Sequence, residues 1–249
     1  MKTLHALMAG LGLLSCLSAG AQNNGPLLWQ SNSLTALSGN QFRVDPKKQN
    51  TLTFEHASGW TFGDLFLFID STHFKGQPGT STYGEFSPRF SLGKLSGQPV
   101  KFGPIQDVLL ATTYEFGEGR VESLLVGPGF DLAVPGFKFF QLNLYQRMPQ
   151  RHQEGRSWQI TPVWSLPIGE RVSFTGFMDY VVRNDGNYRR NWHFNPQLKY
   201  DVGSHLGLNK GQVLAGVEYS YWHNKYGIRD TPAFRTDQSV TSLLLQMHF

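Results

Sequence analysis

The chain has 249 residues, with 22 Lys or Arg against 18 Asp or Glu, so its formal net charge is only +4. Charged residues make up 16% of the sequence and aromatic residues 14%, with 27 Gly and 13 Pro. The length allows one domain, or two at most, with ample burial. The composition favours a β protein with frequent turns over long solvated helices. The shallow charge, without a basic tail, indicates no nucleic-acid partner.

The first 21 residues have the features of a cleaved secretory signal peptide. Lys2 precedes an apolar run over residues 4–17, and the small residues 19–21 follow that run. Residues 13–16 also resemble a lipoprotein cleavage box, which would leave Cys16 lipidated at a new N-terminus. Because Cys16 is the only cysteine, a chain cleaved after residue 21 is predicted to have no disulfide and no thiolate metal ligand. Beyond this segment no apolar run approaches the roughly 18 residues of a membrane-spanning helix.

From residue 50 onward, apolar and polar residues alternate in runs that end at Gly, Pro, Asn or Asp. The clearest run covers residues 192–202, where one face is apolar and aromatic while the other is polar and charged. This period of two predicts β-strands. Eleven strands are predicted, near residues 50–57, 62–71, 83–92, 108–116, 119–126, 137–148, 156–165, 170–182, 191–202, 212–223 and 239–249.

Soluble sandwiches and lipocalin-like barrels show the same alternation, so other features must decide the class. Aromatic residues lie near the ends of the apolar faces, as in the interfacial girdles of membrane barrels. The chain ends in an alternating run up to Phe249, which resembles the insertion signal of bacterial outer-membrane barrels. The predicted fold is therefore all-β, a closed antiparallel transmembrane β-barrel of about 12 strands, with the outer membrane as its location.

Strand parity adds a strand that the alternation does not show. Bacterial single-chain barrels have an even number of strands, so we expect a twelfth, and residues 27–34 are the candidate. The barrel would form one domain over residues 22–249, in which residues 22–49 supply the N-terminal strand and loop. Residues 58–61 are predicted to form a tight periplasmic turn. The longer outside loops are predicted at residues 71–82, 149–156, 183–190 and 224–238, and long periplasmic segments at 93–107 and 127–136.

Several short segments resemble the nucleoside-specific channel family of outer-membrane proteins, Tsx and OmpK. They occur in matching order and cover nearly the whole chain after the signal peptide: Gly63–Asp70, Gly84–Leu95, Phe102–Pro104, Leu166–Ile168, Tyr219–Asn224 and Phe249. The resemblance implies a monomeric barrel of about 12 strands, with a narrow pore that passes nucleosides. It also implies that phage or colicin are possible partners. Phe66 and Phe68 stand where tyrosines are expected in that family.

The alternation of side chains along each strand then predicts which of them line the pore. Nucleosides are uncharged and present a π face and hydroxyls, so a suitable channel needs aromatic platforms beside hydrogen-bonding groups. The alternative is that the charges pair across the lumen and fix the barrel, while the rings fill space. The predicted lumen residues are Glu55, Asp64, Phe66, Phe68, Asp70, Glu85, Arg89, Asn143, Tyr145, Arg147, Arg171 and Asp179.

Two other classes of function remain open at this point. One is a general small-solute pore or a surface receptor without nucleoside selectivity. The other is an outer-membrane hydrolase, which is less favoured because the sequence contains neither G-x-S-x-G nor H-E-x-x-H and its histidines are scattered. No catalytic residue, metal site or cofactor is predicted. The partners expected are small solutes and membrane lipid.

Overall fold

A computed structural model describes residues 25–119, 121–150, 155–182 and 188–249, and the predicted signal peptide lies outside these ranges. Each strand pairs antiparallel with the next, and the first strand pairs with the last, which closes the barrel and confirms the predicted fold class. No helix in the described part of the chain is long and apolar enough to cross a membrane. The strands are β1 (Leu27–Asn40), β2 (Lys48–Trp60), β3 (Gly63–Phe74), β4 (Thr80–Ser91), β5 (Ile105–Gly117), β6 (Glu122–Leu132), β7 (Phe139–Pro149), β8 (Ser157–Ile168), β9 (Val172–Val181), β10 (Asn191–Asp201), β11 (Val213–His223) and β12 (Gln238–His248).

Burial in this barrel is the reverse of that in a soluble protein. Most buried residues are polar, including Ser33, Thr35 and Thr53, whereas Leu243 is 72% exposed and Leu245 is 54% exposed. Successive side chains of a strand point to opposite faces, so the polar set faces the lumen and the apolar set faces outward. An apolar outer band is what lipid requires, and closure leaves no unpaired strand edge in it.

Several predicted strand ends differ from the structure; β1, for example, extends to Asn40 instead of residue 34. Two of the errors come from turn-forming residues. β2 continues through the predicted turn at 58–61, and the chain reverses at residues 61–62 instead. The fifth predicted strand, 119–126, is β6, which extends through Gly127 to Leu132. A Cβ atom at Gly127 would clash with the carbonyl oxygen of Leu144 on β7. Glycine there permits close strand approach and does not mark a turn.

The connections define two ends of the barrel. The terminal end carries both described chain termini and the connections 61–62, 92–104, 133–138, 169–171 and 202–212. The loop end carries the connections 41–47, 75–79, 118–121, 150–156, 182–190 and 224–237. The terminal end has two long connections, 92–104 and 202–212, so loop length alone does not decide the orientation. We take the loop end as the outside because it carries the connections predicted to lie outside, including the longest one, 224–237. A helix that the sequence did not predict, α1 (Leu92–Ser96), lies at the terminal end, where the Ser91 hydroxyl accepts the Lys94 N–H.

Candidate functional site: the barrel lumen

The strand register settles where the predicted lumen residues lie. Glu55 on β2 is opposite Phe68 on β3, which is opposite Glu85 on β4, and these positions share a face with the buried Arg89. The strand register also places four predicted residues on the lumen face: Asn143, Tyr145 and Arg147 of β7 and Asp179 of β9. Arg171 differs, because it is exposed in the connection between β8 and β9 rather than on a strand.

One wall of the lumen carries a short aromatic column. The ring centroids of Phe66 and Phe68 are 6.0 Å apart, and that of Tyr83 on β4 is 5.7 Å from Phe68. Phe66 is 39% exposed although its side chain faces inward. This exposed surface is therefore open to the pore, and a solute in the lumen can contact the ring.

A second aromatic column lies on β9, β10 and β11, on the opposite side of the closed ring of strands. Phe177 meets His193 edge-on at 5.3 Å, and His193 stacks on Trp222 at 4.0 Å with 14° between the ring planes. Tyr226 follows at 5.5 Å from Trp222. The sequence did not identify this column, because its contacts join three strands and one loop.

Two buried arginines hold the lumen wall together. Arg89 donates from Nε and Nη2 to both oxygens of Asp64, at 2.8 and 2.6 Å, and lies 3.0 Å from Asp131 on β6. Arg147 on β7 forms a bidentate ion pair with Glu115 on β5 and also donates to Gln159 and Ser123. Such fork-shaped pairs fix geometry as well as charge. Arg89 and Arg147, two of the three predicted lumen arginines, therefore have structural partners.

The remaining lumen carboxylates are hydrogen-bonded but have no ion pair within the described residues. Asp70 accepts from Thr53 at 2.5 Å, and Asp179 accepts from Thr161 at 2.6 Å and from Gln159 at 2.9 Å. On the described strands, the lumen cations are Arg89, Arg147 and Lys199, against the carboxylates Glu55, Asp64, Asp70, Glu85, Asp107, Glu115, Asp131, Asp179, Asp201 and Glu218. Carboxylates thus outnumber cations, and the pore wall has a negative field.

We expect this field to make the pore prefer cations over anions. Asp70→Asn keeps the side-chain volume and removes one unpaired charge, so the ratio of cation to anion permeability should fall. The reversal potential of planar bilayers in a KCl gradient measures this ratio. A wild-type pore that prefers chloride would contradict the expectation, as would an unchanged ratio in the variant.

The mouth at the loop end is organised around one buried lysine. Lys225 donates to Asp45 at 2.8 Å, to the Gln238 side chain at 2.9 Å and to the carbonyl of Arg43 at 3.0 Å. Burial lowers the pKa of Lys225, and the neighbouring Asp45 opposes that shift. These bonds tie loop 41–47 to loop 224–237.

Other contacts order the same mouth. Asp230 accepts backbone N–H bonds from Thr236 and Asp237, and these bonds lower the pKa of its carboxyl group. The Arg189 N–H donates to the carbonyl of Gly227 at 2.9 Å, which joins loop 182–190 to loop 224–237. Three loops are therefore connected to one another at the loop end.

A closed barrel with an apolar outer band, a charged and aromatic lumen and a mouth bounded by connected loops is a channel-forming outer-membrane protein. The comparison with protein families gives the particular group. Residues 27–247 match the family described as "Nucleoside-specific channel-forming protein, Tsx". The chain belongs to this family.

Curated relatives are similar to the chain at modest identity. "Outer membrane protein OmpK" of Vibrio parahaemolyticus is 27% identical over 173 residues, which cover 65% of this chain and 59% of that protein. "Nucleoside-specific channel-forming protein Tsx" of Salmonella typhimurium is 26% identical over 254 residues, which cover 90% of this chain and 88% of that protein. The solved "KdgM porin" matches with a TM-score of 0.52 and 10% identity, covering 87% of this chain and 99% of that one. That last likeness shows the fold alone.

Proposed function

We propose that this channel passes nucleosides by passive diffusion and binds them weakly between its two aromatic walls. The observation that carries the proposal is the pair of inward-facing rings, Phe66 and Phe68, opposite the column that begins at Phe177. Stacking on aromatic side chains is tolerant of base identity, because every base has a π face. The proposal agrees with the description of the family as nucleoside-specific channels.

The polar lumen residues match the other half of a nucleoside. Ribose hydroxyls donate and accept hydrogen bonds, and carboxylates are strong acceptors for them. Asp70 lies two residues after Phe68 on the same face of β3, and Glu85 lies directly opposite Phe68 on β4. A base stacked on the Phe68 ring therefore has hydrogen-bond acceptors in the same part of the lumen. Weak, multiple contacts suit transport, since a tightly held solute would not leave. A channel of this kind needs no catalytic group.

The competing function is a general small-solute pore or receptor without nucleoside preference. In that case the rings only narrow the lumen and the charges only stabilise the barrel. Liposome swelling with adenosine, uridine and sugars of similar size separates the two functions. Faster nucleoside entry, together with nucleoside block of ion conductance, supports the proposal. Equal entry of sugars and no block would favour the general pore.

The rings of the first wall should account for much of the block. Replacing Phe66 or Phe68 by Ala removes a stacking surface worth about 1 to 3 kcal/mol per base, so nucleoside affinity should fall about 5-fold to 150-fold. Ion conductance should rise because the lumen widens. Concentration-dependent block of single channels measures both effects.

A matched control uses a phenylalanine on the other face of the same sheet. Phe86 on β4 alternates with the lumen residues, is 42% exposed and faces lipid. Phe86→Ala removes the same ring and should leave nucleoside block unchanged. If Phe66→Ala and Phe68→Ala also leave block unchanged, the two rings are packing residues and the proposed binding wall is wrong.

A further inference from the structure

A cluster of lysines lies on the outer surface of the barrel at the loop end. Lys48 begins β2 next to Gln49, which is buried on the lumen side, so Lys48 faces outward. Lys75 follows β3 directly, and its N–H donates to the Lys48 carbonyl at 2.9 Å. Lys47 precedes Lys48 and is also exposed. The three lysines and residues 44–46 and 76–77 line one groove of about 680 Å³.

These ammonium groups are available to a ligand. Within the residues that the structure describes, the side chains of Lys47 and Lys48 make no hydrogen bond or ion pair, and Lys75 donates only to the Ser38 hydroxyl at 3.1 Å. Asp45 is the carboxylate that lines the groove, and its Oδ2 atom already accepts from Lys225 and from the Tyr226 hydroxyl. The groove therefore presents positive charge without a bound counter-charge.

The surface below the groove is apolar. Leu52 lies four residues after Lys48 on the same outward face of β2 and is 51% exposed. Ile69 on β3 is 37% exposed on that face. Clustered lysines at the edge of an apolar membrane-facing band can bind phosphate groups while acyl chains cover the band beneath. A free anion would use only the upper half of this surface.

We propose that this lysine groove binds the phosphate groups of lipid A, the phosphorylated glycolipid of the outer leaflet, with its acyl chains against Leu52 and Ile69. The loop end faces the outer leaflet, where lipid A lies. The negative phosphate groups of lipid A match the lysine groove, and its acyl chains match the apolar surface beneath the groove. This site lies on the lipid face, so it is independent of what passes through the lumen.

The experiment measures lipid binding to the full protein in detergent by native mass spectrometry, with bisphosphorylated lipid A as the probe. The triple variant Lys47→Gln, Lys48→Gln, Lys75→Gln should bind it on the order of 100-fold more weakly, because each lysine contributes about fivefold to binding of anionic lipid. Monophosphoryl lipid A should bind the wild type more weakly than the bisphosphorylated form. Free inorganic phosphate should compete poorly, because it lacks the acyl contacts.

A charge-matched control carries Lys101→Gln, Lys138→Gln and Lys210→Gln, three exposed lysines at the terminal end. Its affinity should stay within about twofold of the wild type, since its substitutions lie a membrane thickness from the groove. Heat-modifiable gel mobility shows that each variant is folded. Equal weakening in both triple variants would mean that net charge alone attracts the lipid, and unchanged binding in the groove variant would overturn the site. Efficient competition by inorganic phosphate would assign the groove to soluble anions instead.

Discussion

Replacing Arg147 by Met should destabilise the barrel by about 3 to 5 kcal/mol, because it leaves a buried carboxylate without its partner. Arg147 and Glu115 are 8% and 5% exposed and form a bidentate pair between β7 and β5, across β6. Glu115 also lies opposite Glu85 in the strand register, so the unpaired charge would face a like charge. Denaturant unfolding in phospholipid vesicles measures the loss.

A double-mutant cycle separates the pair from its surroundings. Glu115→Gln alone removes the charge and leaves Arg147 with Gln159 and Ser123. The double variant Arg147→Met, Glu115→Gln should lose less than the sum of the single losses, with a coupling of about 0.5 to 3 kcal/mol. Additive losses would show that the two side chains act independently, which the bidentate geometry does not predict.

Alternation predicted the faces of the strands correctly because it follows from backbone geometry alone. A strand buried against lipid on one side and lumen on the other must change character at every residue. Phe68 and Glu55 could therefore be assigned to one face without knowing that they are neighbours, and the register places them opposite each other. Parity also predicted β1, whose own residues alternate weakly.

Contacts between distant strands could not be predicted in this way. Phe177 interrupted the polar pattern of its strand, and only the register reveals that it meets His193 on the next strand. Glu115 was not among the predicted lumen residues, although its parity within strand 108–116 carried the signal. Its partner Arg147 is 32 residues away in sequence, so the pair depends on closure of the sheet.

The contacts between the loops at the loop-end mouth could not be predicted from the sequence for a different reason. Asn224 and Tyr226 both have positive φ, at 50° and 58°. Asparagine tolerates this backbone conformation, whereas tyrosine does so rarely, and no periodic pattern encodes it. The conformation is held by tertiary contacts, in which the Tyr226 hydroxyl and the Lys225 ammonium both donate to Asp45.

The lumen combines a rigid frame with solute-accessible rings. The guanidinium groups of Arg89 and Arg147 donate to carboxylates of the lumen wall, and these bonds connect different strands. Phe66 and Phe68 are tied to the wall only by packing, and Phe66 keeps a large exposed surface. Stability and solute contact therefore depend on different residues. This separation makes it possible to change selectivity without unfolding the barrel.

Placing a charge on the lipid face should have the second large effect. Leu243 is the sixth of the 11 residues of β12 and is 72% exposed on the outer surface. Its central position puts it near the bilayer midplane, where Lys on the lipid face costs about 2 to 4 kcal/mol. Leu243→Lys should therefore lower the free energy of unfolding in vesicles by that amount and slow membrane insertion.

A lysine introduced on the lumen face at similar depth provides the control. Gln197 is the seventh of the 11 residues of β10, faces the lumen and donates to Glu218 at 2.9 Å. Gln197→Lys places the new ammonium beside that carboxylate in a hydrated pore, so the free energy of unfolding should change by less than about 1 kcal/mol. Equal destabilisation by the two lysines would mean that residue 243 does not face lipid, and the assignment of outer and inner faces would have to be reversed or abandoned.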